Sequence, residues 1–418
     1  MDLHSEMMAI GNRAVVAARK LAGLAVQKKN RILCAMADAL EERGDRVLEA
    51  NNRDMDAARN AGLSGAMLDR LELNSSRVEA MANDLRAVSK LKDPVGKEIS
   101  HWIRPSGLVI RKVRVPIGVI AVIYESRPNV TADAAGLCFK TSNAVILRGG
   151  KESIQSNKEI VDALQAGGAK KGLPDDSVQL ITTSDRDAVR ELVQLEDCVN
   201  LAIPRGGEAL IRAVMEHARV PVIKHYKGIC HTYVDKSADP AMALRISENA
   251  KCERPAVCNA METVLVHRDV AQSFLPELAR QLGARGVEFR ADEKARAIVP
   301  EMKPATEEDW STEYLALILS VKVVESIEEA IEHITKYGSK HSDAIITQDE
   351  AAATVFFNEI DSATVYWNAS TRFTDGGEFG MGAEIGISTD KLHARGPMGL
   401  EELTTYKYLI TGSGQVRD

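Results

Sequence analysis

Long hydrophobic segments are absent from this sequence. The longest apolar stretches, such as VPIGVIAVIY at 115–124, fall far short of the ~20 residues that span a bilayer as a helix. The N-terminal MDLHSEMMAIGNRA carries acidic residues and no continuous apolar core, so it lacks the pattern of a secretory signal. We therefore predict a cytoplasmic protein with no membrane partner.

An excess of positive charge is also absent. The chain has 53 Lys and Arg residues against 60 Asp and Glu residues, a formal net charge of −7 and a pI of about 5.8. This balance provides no basic footprint for the phosphates of a nucleic acid, and we predict no nucleic-acid partner. A local basic patch could still bind a small anionic metabolite.

Closely paired cysteines are missing as well. No C-x-x-C pair occurs, and the scatter of the six cysteines does not resemble a disulfide framework. Cys252 and Cys258 have no histidine pair near them and do not match a zinc site, so we predict no metal. The ordinary alternative is that each cysteine is reduced and packs as a small hydrophobic side chain. The six cysteines are Cys34, Cys138, Cys198, Cys230, Cys252 and Cys258.

The chain does contain a regular alternation of short apolar runs and amphipathic helices. Its 418 residues exceed the size of one hydrophobic core, so two or three domains are expected. The first 96 residues have the apolar spacing of helices, with breaks near Gly44 and Gly62. From residue 117 strands and helices alternate as far as VPVIKH at 220–225, and a second set follows from 231. The pattern predicts an α/β fold of right-handed βαβ units with mostly parallel sheets.

Two β-rich segments lie outside this alternation. Residues 97–115 alternate apolar and charged side chains, and the glycine-rich C-terminal region, 384–418, ends in a strand-like segment. The two segments could pair to form a flap that joins subunits. We therefore predict a homo-oligomer.

Two glycine pairs follow predicted strands directly. AVILRGGK at 144–151 and LAIPRGGEAL at 201–210 each place the pair just before a helix, where backbone N–H groups can approach a phosphate. Neither matches the GxGxxG or GxxxxGK[ST] pattern, and a tight turn explains each pair taken singly. Together, each with an arginine (Arg148, Arg205), they make a phosphate or dinucleotide site an equal alternative.

Two further segments hold candidate catalytic residues. In YESRPNVTAD at 124–133, Asn129 or Thr131 can cap the next helix, or the Asn129 amide can point at a developing oxyanion. In NAKCERPAVCNAMETV at 249–264, Cys252 falls on the helical side and is expected to pack. Cys258 lies in the loop before a strand, where it is either packing or a nucleophilic thiolate.

Several segments together resemble the aldehyde dehydrogenase superfamily, and within it the branch that reduces γ-glutamyl phosphate. They are IYESRPNVTADAAGLCFKTSNAVILRGGKE, IPRGG, KGICHTYVD, RPAVCN, VVESIEEAIEHITKYGSKHSDAI, NASTRFTDGGEFGMGAE and LHARGPMGLEELTTYK. The resemblance covers essentially the whole chain and implies an α/β, aldehyde-dehydrogenase-like fold. The implied parts are a Rossmann-type dinucleotide-binding domain (1–96, 116–230 and 362–383), an α/β catalytic domain (231–361) and a small β oligomerisation flap (97–115 and 384–418).

The resemblance also implies roles for individual residues. Cys258 would be the nucleophile and Asn129 the side-chain donor to the oxyanion. Arg148 beside Lys151 would suit a 2′-phosphate, which favours NADPH over NADH. The residues implied in cofactor binding are Glu125, Ser126, Arg127, Pro128, Arg148, Gly149, Gly150, Lys151, Pro204, Arg205, Gly206, Gly207 and, at the nicotinamide ribose, Glu313.

One departure from the superfamily pattern indicates the direction of the reaction. Aldehyde-oxidising members carry a water-activating glutamate just before a Gly-Gly pair, whereas the matching stretch here is VIKHYKGICH, with His225 near that place. A reductase that starts from an acyl phosphate needs no such base. The resemblance thus implies NADPH-dependent reduction of γ-glutamyl phosphate (L-glutamate 5-phosphate) to L-glutamate 5-semialdehyde and phosphate. The reaction would pass through a Cys258 thioester and would be the second step of proline biosynthesis.

Two alternatives stay open at this point. They are an NAD(P)-dependent aldehyde-oxidising dehydrogenase and a non-catalytic dinucleotide-binding or scaffold protein. The expected substrate carries a phosphate, an α-carboxylate and an ammonium group, and functional coupling to glutamate 5-kinase, which makes the unstable acyl phosphate, is expected. The candidates for substrate binding, each equally consistent with a structural role, are Arg254, His341, Ser342, Arg372 and Arg395.

Overall fold

The computed structural model describes residues 2–63 and 65–417. The chain divides into two compact units. Unit 1 comprises Met1–Lys224, Gly380–Gly386 and Met398–Asp418, and unit 2 comprises His225–Phe379 and Ile387–Pro397. The chain therefore passes from unit 1 to unit 2 once in its middle and crosses between them again near its C-terminus.

Unit 1 begins with five helices. They are α1 (Leu3–Leu21), α2 (Val26–Glu42), α3 (Gly44–Asn60), α4 (Gly65–Leu71) and α5 (Ser75–Lys90). The expected break near Gly44 is present, because α2 ends at Glu42 and α3 starts at Gly44. Gly62 follows α3 with a φ of 72°, a left-handed conformation in which glycine ends helices without strain. The helices bury their apolar faces, as the spacing predicts.

A four-stranded parallel sheet forms the centre of unit 1. Its order is β5-β4-β3-β6, and every pairing is parallel. Because the chain extends the sheet first on one side of β3 and then on the other, the switch point lies between β3 and β6. The elements are β1 (Glu98–Ile103), β2 (Val109–Pro116), β3 (Val119–Tyr124), α6 (Asn129–Lys140), β4 (Ala144–Arg148), α7 (Ile154–Ala169), β5 (Val178–Leu180), α8 (Asp187–Leu192), β6 (Leu201–Arg205) and α9 (Glu208–His217).

The strand expected in VPVIKH at 220–225 is wrong. Only an isolated bridge forms there, between Val222 and Ala202. Two backbone hydrogen bonds make it, from Ala202 N to the Pro221 carbonyl at 2.9 Å and from Ile223 N to the Ala202 carbonyl at 3.1 Å. Pro221 has no N–H to continue a ladder, and unit 1 ends at Lys224, so the apolar run is too short to become a strand.

Unit 2 is built on a seven-stranded parallel sheet. The order is β10-β9-β11-β8-β7-β12-β13. Its elements are β7 (Cys230–Val234), α10 (Pro240–Cys252), β8 (Met261–His267), α11 (Arg268–Gly283), β9 (Glu288–Ala291), α12 (Glu293–Ile298), β10 (Lys303–Pro304), β11 (Ile318–Val324), α13 (Ile327–Tyr337), β12 (Ser342–Ile346), α14 (Glu350–Glu359) and β13 (Thr364–Trp367). The central strands are buried along their length, which explains their continuous apolar sequences.

The remaining strands are antiparallel or very short. β14 (Gly386–Ser388) and β15 (Gly396–Met398) form a two-stranded sheet. β16 (Thr404–Thr411) pairs antiparallel with β2, and β2 pairs antiparallel with β1, giving a three-stranded sheet in unit 1. The expected pairing of the two β-rich segments is therefore present, and its role in oligomerisation stays a prediction.

Membrane-spanning helices and metal-binding clusters are both absent from residues 2–63 and 65–417. No helix in this part of the chain is both long and apolar enough to cross a membrane. No group of three or more His, Cys, Asp and Glu side chains within the same ranges could hold a metal ion.

Candidate active site

The candidate catalytic residues of unit 2 lie at the amino ends of its parallel strands. Cys258 is half-buried in the loop between α10 and β8, just before β8 begins. Gly228 and Ile229 precede β7, and Ser342 is the first residue of β12. Parallel strands start at the same edge of a sheet, so these residues meet there, although ligands of open α/β sheets ordinarily bind at the carboxyl ends.

Gly228 lies directly against the backbone of Cys258. A Cβ atom at Gly228 would stand 2.0 Å from the Cys258 carbonyl oxygen and 2.5 Å from its Cα. Only glycine permits this approach. The Gly228 N–H donates to the Glu313 carboxylate at 2.9 Å, so Glu313 fixes the segment that presses on Cys258. Gly228 was not among the site residues predicted from the sequence; the glycine within KGIC was the available signal.

A second cysteine, Cys230, forms a hydrogen bond to the Cys258 loop. The Cys230 thiol is fully buried and donates to the Cys258 carbonyl at 3.2 Å. Burial raises the pKa of Cys230 well above its ordinary value, and the nearby Asp343 acts in the same direction. Cys230 is therefore held as a thiol. Its role is to position the loop.

Asn259, the residue after Cys258, joins the Cys258 loop to residues 371–374. Its amide nitrogen donates to the Thr374 carbonyl at 2.9 Å, and its own carbonyl accepts from the Thr371 hydroxyl at 2.7 Å. The Arg372 guanidinium donates to the Asn259 side chain and pairs with Glu253 at 2.5 Å. Arg372, a predicted substrate residue, thus also contacts the Cys258 loop.

His341 and Ser342, two more predicted substrate residues, are fully buried. His341 Nδ1 lies 2.8 Å from the Ser342 hydroxyl and 3.8 Å from the Cys230 sulfur. The Ser342 hydroxyl continues to the hydroxyls of Thr364 and Thr374, both at 2.7 Å. His341 and Ser342 therefore lie close to the Cys258 loop, on its buried side.

The other two predicted substrate residues differ in their partners. Arg254 is exposed, and its guanidinium makes no hydrogen bond or ion pair within the described part of the chain. Arg395 donates to the Asp361 carboxylate at 2.8 Å and to its carbonyl at 2.9 Å. Lys391 at 2.7 Å, together with Arg395, lowers the pKa of Asp361 to about 2. Arg254 is therefore the more available cation.

In unit 1 the predicted cofactor residues gather at the switch point between β3 and β6. Glu125, Ser126, Arg127 and Pro128 follow β3, while Pro204 and Arg205 close β6 and Gly206 and Gly207 lead into α9. The Glu125 carboxylate accepts from the Gly207 N–H at 3.0 Å. A Cβ at Gly206 would stand 2.4 Å from that carboxylate, so a larger residue there would displace the Glu125 side chain. Arg205 packs over Gly386.

The first glycine pair forms a second turn at this edge. Arg148 is nearly buried, and its guanidinium donates to the Gly149 carbonyl at 2.9 Å and the Asp185 carbonyl at 3.3 Å. Burial lowers the pKa of Arg148. Beyond it, Gly150 lies against the Glu152 carboxylate, which accepts from the Ser126 N–H and hydroxyl, both at 2.7 Å. Lys151 is exposed.

The prediction that Asn129 or Thr131 caps α6 is wrong. Pro128, already in the helical conformation, is the N-cap, and no side chain caps the helix. Asn129 therefore lies inside the first turn, exposed, and donates to Asp133 one turn later at 3.0 Å. The Thr131 hydroxyl is buried and bonds to Tyr124 at 2.7 Å. The Asn129 amide is fixed in direction and keeps one N–H for another acceptor.

Residues 4–296 match the family model described as aldehyde dehydrogenase family. The chain belongs to the aldehyde dehydrogenase family. Across its full length it is 57% identical over 417 residues to the gamma-glutamyl phosphate reductase of Moorella thermoacetica, with 100% of each chain covered. These findings confirm the predicted family and the prediction of an enzyme.

Two solved structures are similar to the chain. The gamma-glutamyl phosphate reductase of Thermotoga maritima is 47% identical, with a TM-score of 0.97 over 99% of this chain and 100% of that one. The glyceraldehyde-3-phosphate dehydrogenase of Methanocaldococcus jannaschii, solved in complex with NADP, is 17% identical with a TM-score of 0.69 over 98% and 95%. The second shares the fold alone. The predicted aldehyde-dehydrogenase-like α/β fold is confirmed, and members of the family bind nicotinamide cofactors.

Proposed function

We propose that this chain reduces γ-glutamyl phosphate to glutamate 5-semialdehyde and phosphate with NADPH, as the second step of proline biosynthesis. The observation that carries the proposal is the full-length identity of 57% to a gamma-glutamyl phosphate reductase. Catalysis would take place in the cytoplasm, in a homo-oligomer. Because an acyl phosphate is unstable in water, functional coupling to the kinase that makes it, glutamate 5-kinase, is part of the proposal.

The switch point of unit 1 suits a dinucleotide. A Cβ at Gly207 would meet only the Glu125 carboxylate, at 3.9 Å, so the start of α9 can be approached closely. A carboxylate already accepts an N–H there, which is the preference of a helix N-terminus for negative charge. Residues 125–128 and 204–207, with Gly149 and Gly150, would hold the cofactor, and Glu313 would hold the nicotinamide ribose. The cofactor supplies the hydride.

Cys258 would act as the nucleophile. Its loop is clamped by Gly228 and Asn259, so the thiol is presented on a fixed backbone. Attack of the thiolate on the acyl carbon expels phosphate and leaves a thioester on Cys258. The Asn129 amide and the Cys258 N–H would donate to the oxyanion, and one such donor is typically worth about 2.7–4 kcal/mol.

The substrate's anionic groups need cations near Cys258. Arg254 is exposed on the same loop without a partner among the described residues, so we assign it to the phosphate or the α-carboxylate. His341, Ser342, Arg372 and Arg395 complete the proposed substrate set. His341, Ser342 and Arg372 would support the substrate pocket, because they contact the Cys258 loop or its neighbours.

Assay of the reverse reaction tests the proposal. Glutamate 5-semialdehyde should reduce NADP⁺ only when phosphate is present, and Cys258→Ala should abolish this activity. Cys252→Ala, which changes a half-buried thiol at the end of α10, is the matched control and should retain it. Full activity of Cys258→Ala would contradict the nucleophile assignment. Activity without phosphate, yielding glutamate, would favour the aldehyde-oxidising alternative.

Lys151 is our candidate for cofactor choice. Arg148 donates to backbone carbonyls, whereas Lys151, at the same strand end, is exposed. Lys151→Ala should raise KM for NADPH about tenfold, a loss of about 1.4 kcal/mol of binding, and leave KM for NADH unchanged. Steady-state kinetics with both cofactors measures this, with Lys158→Ala on α7 as control. An equal rise for NADH would show that Lys151 does not read the 2′-phosphate.

A further inference from the structure

The hydrogen bond of His225 determines which of its ring nitrogens is basic. His225 Nδ1 lies 2.9 Å from the carbonyl oxygen of Ile387. A carbonyl oxygen only accepts, so Nδ1 carries the proton and Nε2 has the lone pair. Within the described residues Nε2 has no hydrogen-bond partner. The ring is thus oriented as a base.

Two independent sets of contacts place His225 beside the Cys258 loop. His225 begins the segment 225–228, whose last residue, Gly228, presses on the Cys258 backbone. On its other side the His225 ring meets the His341 ring, with centroids 5.7 Å apart. His341 Nδ1 is 3.8 Å from the Cys230 sulfur, and that thiol donates to the Cys258 carbonyl. Both sets of contacts end at Cys258.

His225 is also more exposed to solvent than the histidines close to it. It is half-buried, whereas His341 and His231 are fully buried. His231 Nδ1 lies 3.0 Å from Asp343, an ion-pairing arrangement inside the sheet. Of the three rings, His225 is therefore the one that solvent or a bound molecule reaches most easily.

We propose that His225 Nε2 carries the proton of Cys258. The inference rests on the proposed function, because it concerns the thioester chemistry of Cys258. Nε2 takes the proton as the S–H bond of Cys258 breaks, and the resulting thiolate bonds to the acyl carbon. The bond from that carbon to the phosphate oxygen breaks next, phosphate keeps the electron pair, and Nε2 passes the proton to it.

The second half of the cycle uses the same nitrogen. When the aldehyde leaves, the carbon–sulfur bond breaks and sulfur keeps the electron pair. Nε2 then delivers one solvent proton to the thiolate, which restores the Cys258 thiol. The sum is consumption of acyl phosphate, NADPH and one proton, and release of aldehyde, NADP⁺ and hydrogen phosphate. A general base of this kind typically contributes about 10²–10⁴-fold to the rate.

The alkylation rate of Cys258 by iodoacetamide, measured by peptide mass spectrometry without substrate, tests the inference. His225→Asn keeps an N–H that can reach the Ile387 carbonyl and lacks the basic nitrogen. At pH 7 it should slow alkylation at least tenfold, whereas His217→Asn, at an exposed site at the end of α9, should not. The neighbouring ionisable groups stay in place in both variants; they are His341, Cys230, Lys224, Lys227 and Glu313.

A chemical rescue guards against a merely structural effect. In His225→Ala, millimolar imidazole should restore a large part of the lost kcat, and it should not accelerate Cys258→Ala. Alkylation of His225→Asn at the wild-type rate, or an absence of rescue, would overturn the inference while leaving the reductase proposal intact. Slowed alkylation in a protein that does not act on glutamate 5-semialdehyde would support the proton link and count against the proposed function alone.

Discussion

Cys258 is held by its backbone. Gly228 packs on its main chain, the buried Cys230 thiol donates to its carbonyl, and the next residue, Asn259, is anchored to residues 371–374. None of these contacts uses the Cys258 sulfur. A nucleophile must move from thiol to thioester and back, so a fixed backbone with a free side chain suits the proposed chemistry.

Replacement of Gly228 by alanine should displace Cys258, the proposed nucleophile. The added Cβ would stand 2.0 Å from the Cys258 carbonyl oxygen, so the two segments must move apart. A misplacement of about 1 Å can lower the rate about 100-fold, and we expect a loss of kcat of that order with the far-ultraviolet circular dichroism unchanged. Gly283→Ala, where the nearest atom would be 3.9 Å away, is the control. Wild-type kcat in Gly228→Ala would contradict the contact.

The Asp133 carboxyl group makes the free energy of unfolding depend on pH. Burial, together with the nearby Asp84, raises the pKa of Asp133 from 3.8 to about 7. Between these values the folded state holds a proton that the unfolded state has lost, so this contribution is full below about pH 4 and is lost as the pH rises to about 7.

Asp133→Asn should therefore stabilise the protein more at pH 8 than at pH 5. The substitution removes the ionisation of a group that is costly to ionise in the fold. Urea denaturation at the two pH values measures the difference. Asp175→Asn, at an exposed position in unit 1, should show no such difference. A larger gain at pH 5 would reverse the sign and exclude this account.

At the scale of elements, residues 371–374 hold the loop between α10 and β8 in place. Asn259 makes the central contacts, with two bonds from its side-chain nitrogen, one to its side-chain oxygen and one to its carbonyl. Arg372 adds the ion pair with Glu253. Loops carry function when a rigid scaffold positions them, and here the scaffold is a short segment after β13.

Asn259→Ala should weaken the contacts between this loop and residues 371–374. Loss of buried side-chain hydrogen bonds costs about 1–3 kcal/mol, and we expect a lower free energy of unfolding with a larger fall in kcat than rise in KM. Chemical denaturation and steady-state kinetics measure both. Asn358→Ala, on α14, is the control. A change confined to KM would indicate that Asn259 binds substrate.

At the scale of the whole molecule, the sheet β1-β2-β16 exposes an aromatic face. Tyr406, Tyr408 and Ile410 alternate on one side of β16, with Tyr408 at 51% and Ile410 at 61% exposure. Trp102 packs edge-on against Tyr408, with ring centroids 6.1 Å apart. An exposed apolar face on an antiparallel sheet is typical of a subunit contact, which agrees with the predicted flap.

If the proposed homo-oligomer forms through this face, Tyr408→Glu should give a smaller species. A charge in the middle of this face would be buried without a partner on association. Sedimentation velocity at micromolar concentration measures the species present. Lys407→Glu alters charge on the opposite face of β16 and serves as the control. If Lys407→Glu dissociates the protein and Tyr408→Glu does not, the contact is on the other face.

The sequence alone predicted the family, the α/β class and most of the alternation of strands and helices from residue 117 onward. Apolar periodicity and glycine position depend on local sequence, so they can be read without coordinates. The failures were local as well: Pro221 left VPVIKH with a single bridge, and Pro128 took the cap position from Asn129.

Only the tertiary structure decided what surrounds each candidate residue. Arg148 and Arg205 looked alike beside their glycine pairs, yet one donates to backbone carbonyls and the other packs over Gly386. Gly228 and Cys258 are distant in sequence and touch because β7 and β8 are neighbours in one sheet. Side-chain partners are set by strand order and register, which arise from contacts between distant segments. Residue types therefore indicated the chemistry, and the packing of the sheet decided how Cys258 is held.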